Sequence, residues 1–153
     1  MISINYVLVV PGFSRQEIGI GTMVRSHLGK VQLTVTNDGT DFFRVLRVRP
    51  VLESHVGQEK PQLFQWSDTQ VIKEIPPKGM VPLEFTFRPT FPGLVSVAFY
   101  LTDAANNAVM AKRKTDSSYA QAPVRWWFHV VDDISLQTLR ALKALAAAGE
   151  TNK

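Results

Sequence analysis

The sequence predicts an all-β protein, an immunoglobulin-like antiparallel β-sandwich of about seven to nine strands with one C-terminal amphipathic helix. Three observations lead there. Glycines and prolines, nine of each, fall between apolar stretches at intervals of about ten residues, the spacing of short strands joined by turns. Several of those stretches alternate apolar and polar residues, the period of a strand with one wet face. Only the segment after residue 133 carries the period of a helix. The expected organisation is one domain, with residues 1–133 as the sandwich, 134–149 as a helix packed on the sandwich or on a partner, and 150–153 as a flexible tail.

The first strand spans residues 4–10 and is closed by Pro11-Gly12. A weaker one covers 18–25, where Gly19 and Gly21 read as a bulge or an edge. In residues 30–36, Val31, Leu33 and Val35 alternate with Gln32, Thr34 and Thr36. Asn37-Asp38-Gly39-Thr40 is turn chemistry, so the chain is expected to reverse. Residues 42–52 are then the return strand, with Phe43 and Val45 on one side and Phe42, Leu46 and Val48 on the other. On that pattern Arg44, Arg47 and Arg49 do not share a face, which argues against a basic stripe.

Residues 55–61 are polar and loop-like, Leu63, Phe64 and Trp66 form an aromatic patch, and 70–75 reads as a short strand. Pro76-Pro77-Lys78-Gly79 is a break, because neither proline can donate to a ladder. Val81, Leu83, Phe85 and Phe87 alternate with polar neighbours, and after the turn at 89–93 so do Val95, Val97, Phe99 and Leu101, with Ser96, Ala98 and Tyr100 on the opposite face. Asp103, Asn106 and Asn107 make a turn, a use that outweighs weak calcium binding. Residues 108–114 are expected to pair back as a hairpin, followed by an exposed loop over 115–121. The last strand, 122–131, points Val124, Trp126, Phe128 and Val130 one way and Arg125, Trp127, His129 and Val131 the other. Both sides being apolar, the helix that follows is expected to cover the second. It opens at Asp132-Asp133, whose carboxylates suit free helix amides, and Gly149 is its expected stop.

The stretch from Gly29 to Asp103 resembles a bacterial immunoglobulin-like class, adhesion-related or CARDB-like, through VQLTVTNDG, FFRVLRVRPVL, IPPKGMVPLEFTFRP and FPGLVSVAFYLTD. A similar order occurs in fibronectin type III domains and, more loosely, in intracellular proteinase inhibitors of the sandwich class. The resemblance implies a binding or spacer module. Members are usually repeated and secreted and lack a terminal helix, whereas this sequence shows one copy and a leucine-rich end.

Chemistry is sparse. There is no cysteine, so disulfide and thiolate chemistry are excluded. His27, His55 and His129 have no metal-ligand spacing, and no nucleophile elbow, zincin, P-loop or dinucleotide motif is present. The expectation is a non-enzyme with no cofactor, no metal and no small-molecule substrate. The longest early apolar run is too short for a signal peptide or membrane span, so a cytoplasmic or intraparticle location is expected, with no membrane partner.

The net charge of +4 points to nucleic acid only if the cations gather on one face. The candidate cluster is Lys112-Arg113-Lys114, joined by Arg125; a solvated hairpin guarding a sheet edge explains it equally well. Trp66 and Trp127 are candidate contacts, as exposed aromatic rings often are. Leu139, Leu142 and Leu145 belong to a helical stripe that must be buried in cis or in trans, because a helix of this length is marginal alone in water. The sequence therefore reads as a binding or assembly module for a protein partner or for itself. The alternatives are a proteinase-inhibitor-like regulator with its loop at 55–61 or 115–121, a virion or particle decoration protein, and, with less support, a nucleic-acid binder.

Overall fold

Alternation becomes strand wherever the sequence shows it. The computed structural model describes residues 1–56, 64–66 and 68–151, with the side chains of residues 15, 17, 55, 64–66, 133–136, 139, 150 and 151 outside the description. Among the described residues are β1 (Ile2–Val9), α1 (Arg15–Ile18), β2 (Thr22–Val24), β3 (Gly29–Asn37), β4 (Phe43–His55) and β5 (Phe64–Trp66). There follow β6 (Gln70–Ile75), β7 (Met80–Pro89), β8 (Gly93–Thr102), β9 (Ala111–Arg113), β10 (Val124–Val131) and α2 (Asp133–Thr151). The expected second strand is cut to β2 because α1 takes Ile18 and both Gly19 and Gly21 adopt left-handed φ, at 80° and 68°. At the other end α2 runs through Gly149 to Thr151 and does not stop there.

The strands form two five-stranded sheets, sheet A in the order β5-β7-β3-β1-β9 and sheet B in the order β2-β10-β8-β4-β6. Every odd-numbered strand lies in sheet A and every even-numbered one in sheet B. Consecutive strands therefore never pair. The turn at 37–40 is a corner between sheets and not a hairpin. Asn37 holds it: its buried amide nitrogen donates to the carbonyls of Asp41 (2.8 Å) and Ile75 (3.0 Å), and its Oδ1 accepts the Gly39 amide at 3.0 Å. The expected hairpin over 108–114 is corrected in the same way. After a single bridge at Thr102↔Ala108, the chain crosses to sheet A and β9 pairs parallel with β1. Apart from that pair and the parallel pair β10–β2, neighbours are antiparallel.

The core lies between the sheets, where Leu33, Phe85 and Phe87 of sheet A meet Leu46, Val97, Phe99 and Phe128 of sheet B, all fully buried. Each such side chain contributes roughly 1.5–3 kcal/mol of burial free energy. Tyr6 and Trp126 seal the core in edge-on contact, centroids 4.9 Å apart, and Phe99 lies 5.9 Å from Trp126. Inward rows follow the expected alternation except in β4. There Val45 takes φ 59°, a left-handed conformation that costs a β-branched residue about 1–3 kcal/mol. It turns the strand over: Phe43 packs on the core before it, and Leu46 and Val48 do so after it. Phe42, expected beside Leu46, is exposed.

Candidate functional site

The turnover at Val45 changes where the β4 arginines point. With Phe43, Leu46 and Val48 inward, Arg44, Arg47 and Arg49 all fall on the outer face of sheet B, contrary to the strict alternation expected from sequence. Arg44 lies 3.9 Å from Glu74 and is largely in water. Arg47 donates to Asn106 Oδ1 at 3.3 Å, and the Arg49 guanidinium stands 5.1 Å from the centroid of the Tyr100 ring. Together with Thr69 and Thr102 these residues line a hollow of about 380 Å³.

Beside it, Arg125 of β10 reaches across β8 to Glu53 of β4 with both arms of its fork, Nη2 at 3.0 Å from Oε1 and Nε on Oε2. The Tyr100 hydroxyl donates to the same carboxylate at 3.1 Å. The Arg125 hydrogen bond holds the Glu53 carboxyl below its ordinary pKa, and the bond to Glu53 raises the Tyr100 phenol above its own. Trp127 follows two residues along β10 and is 53% exposed. Its cross-strand neighbour Ser96 is only 1% exposed, and the Ser96 hydroxyl has no hydrogen-bond partner among the described residues. Small residues on β8, Ser96 and Ala98, thus form a floor between the taller side chains of β10 and β4.

The helix does not close over Trp127 as expected. Residues 141–149 of α2 are exposed, and Leu142 and Leu145 show 58% and 69% of their surface. Arg140 ties the helix to the loop after β1, donating to the Gly12 carbonyl at 2.9 Å and standing 4.3 Å from the Phe13 ring centroid. At the helix start Asp132 pairs with Arg25 at 3.4 Å. Leu139 and Trp66 have side chains outside the described residues; the backbone of Trp66 lies opposite Phe87 at the edge of sheet A. Most of the loop expected at 55–61 is likewise outside the description.

Lys112, Arg113, Arg125 and Trp127 do line one hollow, of about 300 Å³, although β9 and β10 belong to different sheets. Its cations are already engaged. Arg113 grips Asp116 with two bonds, at 2.9 and 3.0 Å, and this pulls the Asp116 carboxyl down. Lys112 donates to the Asp116 carbonyl at 2.9 Å and stands 5.2 Å from the centroid of the Tyr119 ring. Lys114 is exposed. The carboxylate of Asp103 accepts the amides of Ala105 and Asn107 at 3.0 and 2.9 Å, as its turn role requires. Among the described residues no three His, Cys, Asp or Glu side chains gather as a metal site, and no helix is long and apolar enough to cross a membrane.

No protein-family model and no curated protein matches the sequence. Solved structures do. A CARDB domain from Pyrococcus furiosus, in complex with di-metal ions, superposes with a TM-score of 0.53 at 15% identity over 86% of this chain and 88% of that one. Native α2-macroglobulin of Escherichia coli matches with a TM-score of 0.53 at 14% identity, over 84% of this chain and 7% of the far longer one. The fold is thus an immunoglobulin-like sandwich of the CARDB type. The architecture by itself fixes neither an activity nor a partner.

Proposed function

We propose that this chain is a non-catalytic binding or assembly module that recognises a protein partner through the outer face of sheet B. The observation that carries the reading is Trp127: a ring 53% exposed, standing beside the fixed Glu53–Arg125–Tyr100 network. Trp, Tyr and Arg are the residue types that dominate binding hot spots, and a rigid neighbourhood lowers the entropy lost on docking. The leucine stripe of α2, with Leu139, Leu142 and Leu145, is the second element of the proposed surface. Lys114 and the Lys112–Arg113 edge are its rim.

The test is capture from native extract on immobilised protein, comparing wild type with Trp127→Ala and with a variant lacking residues 134–153. Proteins retained by wild type and lost by Trp127→Ala place the partner on sheet B; loss in the truncated variant adds α2. Identical retention by wild type and Trp127→Ala removes the reading.

A further inference from the structure

Among the described residues, Arg47 and Arg49 on the outer face of sheet B have no carboxylate partner. Arg25, Arg44, Arg113 and Arg125 each have an acidic partner within 4.0 Å, respectively Asp132, Glu74, Asp116 and Glu53. Neither the Arg47 nor the Arg49 guanidinium is loose. Arg47 spends one of its five N–H donors on Asn106, and Arg49 is steadied by the Tyr100 ring and keeps its fork of donors. Both sit in the hollow with the hydroxyls of Thr69 and Thr102.

We infer that Arg47 and Arg49 bind the carboxylates of an acidic segment of a protein partner; this rests on the reading of sheet B as the binding face. Two residues apart on one strand, their side chains leave the sheet at a spacing of roughly 7 Å. Alternate side chains of another extended chain have the same spacing, so acidic residues at every second position match the pair. Each guanidinium can meet a carboxylate with two parallel N–H···O bonds, the geometry that gives arginine its preference for planar anions. A nucleic acid fits less well. Its binding needs a track of cations along many phosphates, whereas this pair is flanked on the same face by Glu74 on one side and Glu53 on the other.

Fluorescence anisotropy with a labelled oligoglutamate peptide tests the assignment on the full chain, with labelled oligothymidylate as the comparison anion. Arg47→Ala/Arg49→Ala is expected to weaken oligoglutamate binding about tenfold or more, as loss of charged hydrogen bonds requires. Lys30→Ala/Arg88→Ala removes the same charge from sheet A and is expected to change binding by less than about twofold, since exposed charges a Debye length away are screened. Arg47→Lys/Arg49→Lys keeps the charge without the fork and falls between. Thermal melts establish that each variant folds, and Arg47→Gln/Arg49→Gln replaces the alanine pair should that one not fold. Equal losses in the sheet A and sheet B pairs reduce the effect to net charge and overturn the inference. So does oligothymidylate binding as tightly as oligoglutamate, or no oligoglutamate binding by wild type. If oligoglutamate fails while Trp127→Ala still abolishes partner capture, the binding face stands and the acidic-segment assignment falls.

Discussion

The outer face of sheet A carries Asn5, Lys30, Gln32, Thr34, Thr36, Glu84, Thr86 and Arg88, with Val7, Val9 and Met80 as exposed apolar side chains. The aromatic rings of β1 and β7, Tyr6, Phe85 and Phe87, pack on the core side, and β3 carries none. The outer face of sheet B carries Trp127, Tyr100, His129 and four arginines. Both faces cover one core, and both are the polar half of an alternating pattern. The difference lies in cost. Short hydroxyl and amide side chains rest in water at little expense, whereas an exposed indole gains free energy when an apolar surface covers it and a guanidinium gains when a carboxylate meets its fork. Alternation identifies the inside of a sandwich; side-chain size and charge pairing identify which outside has work to do.

Five substitutions break or sharpen that contrast, from the largest effect down. Phe99→Ala breaks both faces together: the ring is fully buried between the sheets, 5.4 Å from Phe85, and urea unfolding is expected to show a loss of about 3–5 kcal/mol. Asn37→Ala loosens the corner that fixes one sheet on the other. It leaves the Gly39 amide and the carbonyls of Asp41 and Ile75 short of a partner, and a loss of about 2–3 kcal/mol is expected by the same measurement.

Ser96→Ala sharpens the contrast. Its hydroxyl is buried on the sheet B face without a hydrogen bond among the described residues, so its removal is expected to leave stability unchanged or raise it by about 1 kcal/mol. Thr34→Ala on sheet A, in water, is expected to stay within about 0.5 kcal/mol of wild type. The last substitution is Glu53→Gln. Because Arg125 depresses the folded-state pKa of Glu53 from its ordinary 4.5, the group's contribution to stability is complete above that value. It disappears as the pH falls through the depressed one. Wild type should exceed Glu53→Gln by about 0.5 kcal/mol at neutral pH, a solvent-screened pair's worth. Urea unfolding at a series of pH values should show that margin closing below about pH 4.5.

The inward rows of β3, β7, β8 and β10 were legible because a side chain's face is set by its own strand, a local property. Pairing was not, because a turn such as 37–40 has the same chemistry whether it joins two strands of one sheet or turns a corner between two. The arginine face was hidden by a single residue. A left-handed φ at glycine or asparagine announces itself, but at Val45 it does not, and strict alternation carried past it put Arg44 on one side and Arg47 and Arg49 on the other. That Arg47 and Arg49 share a face was readable from their spacing alone. The quenching of Lys112 and Arg113 was partly readable too, since Asp116 stands three residues beyond Arg113. What no spacing conveyed is that α2 leaves Trp127 uncovered, because that depends on where Arg140 finds its anchor.

The strict alternation of strands between layers has a consequence for how the chain is made. β1 finds a neighbour in β3, but β2, completed by Val24, pairs only with β10, whose first residue is Val124. Emerging from the ribosome amino end first, β2 stays without its sheet neighbour until about a hundred further residues have been synthesised. Loop closure on that scale slows folding and exposes the nascent chain to aggregation. Chaperones that hold the unpaired nascent segment are therefore expected to raise the yield of this domain.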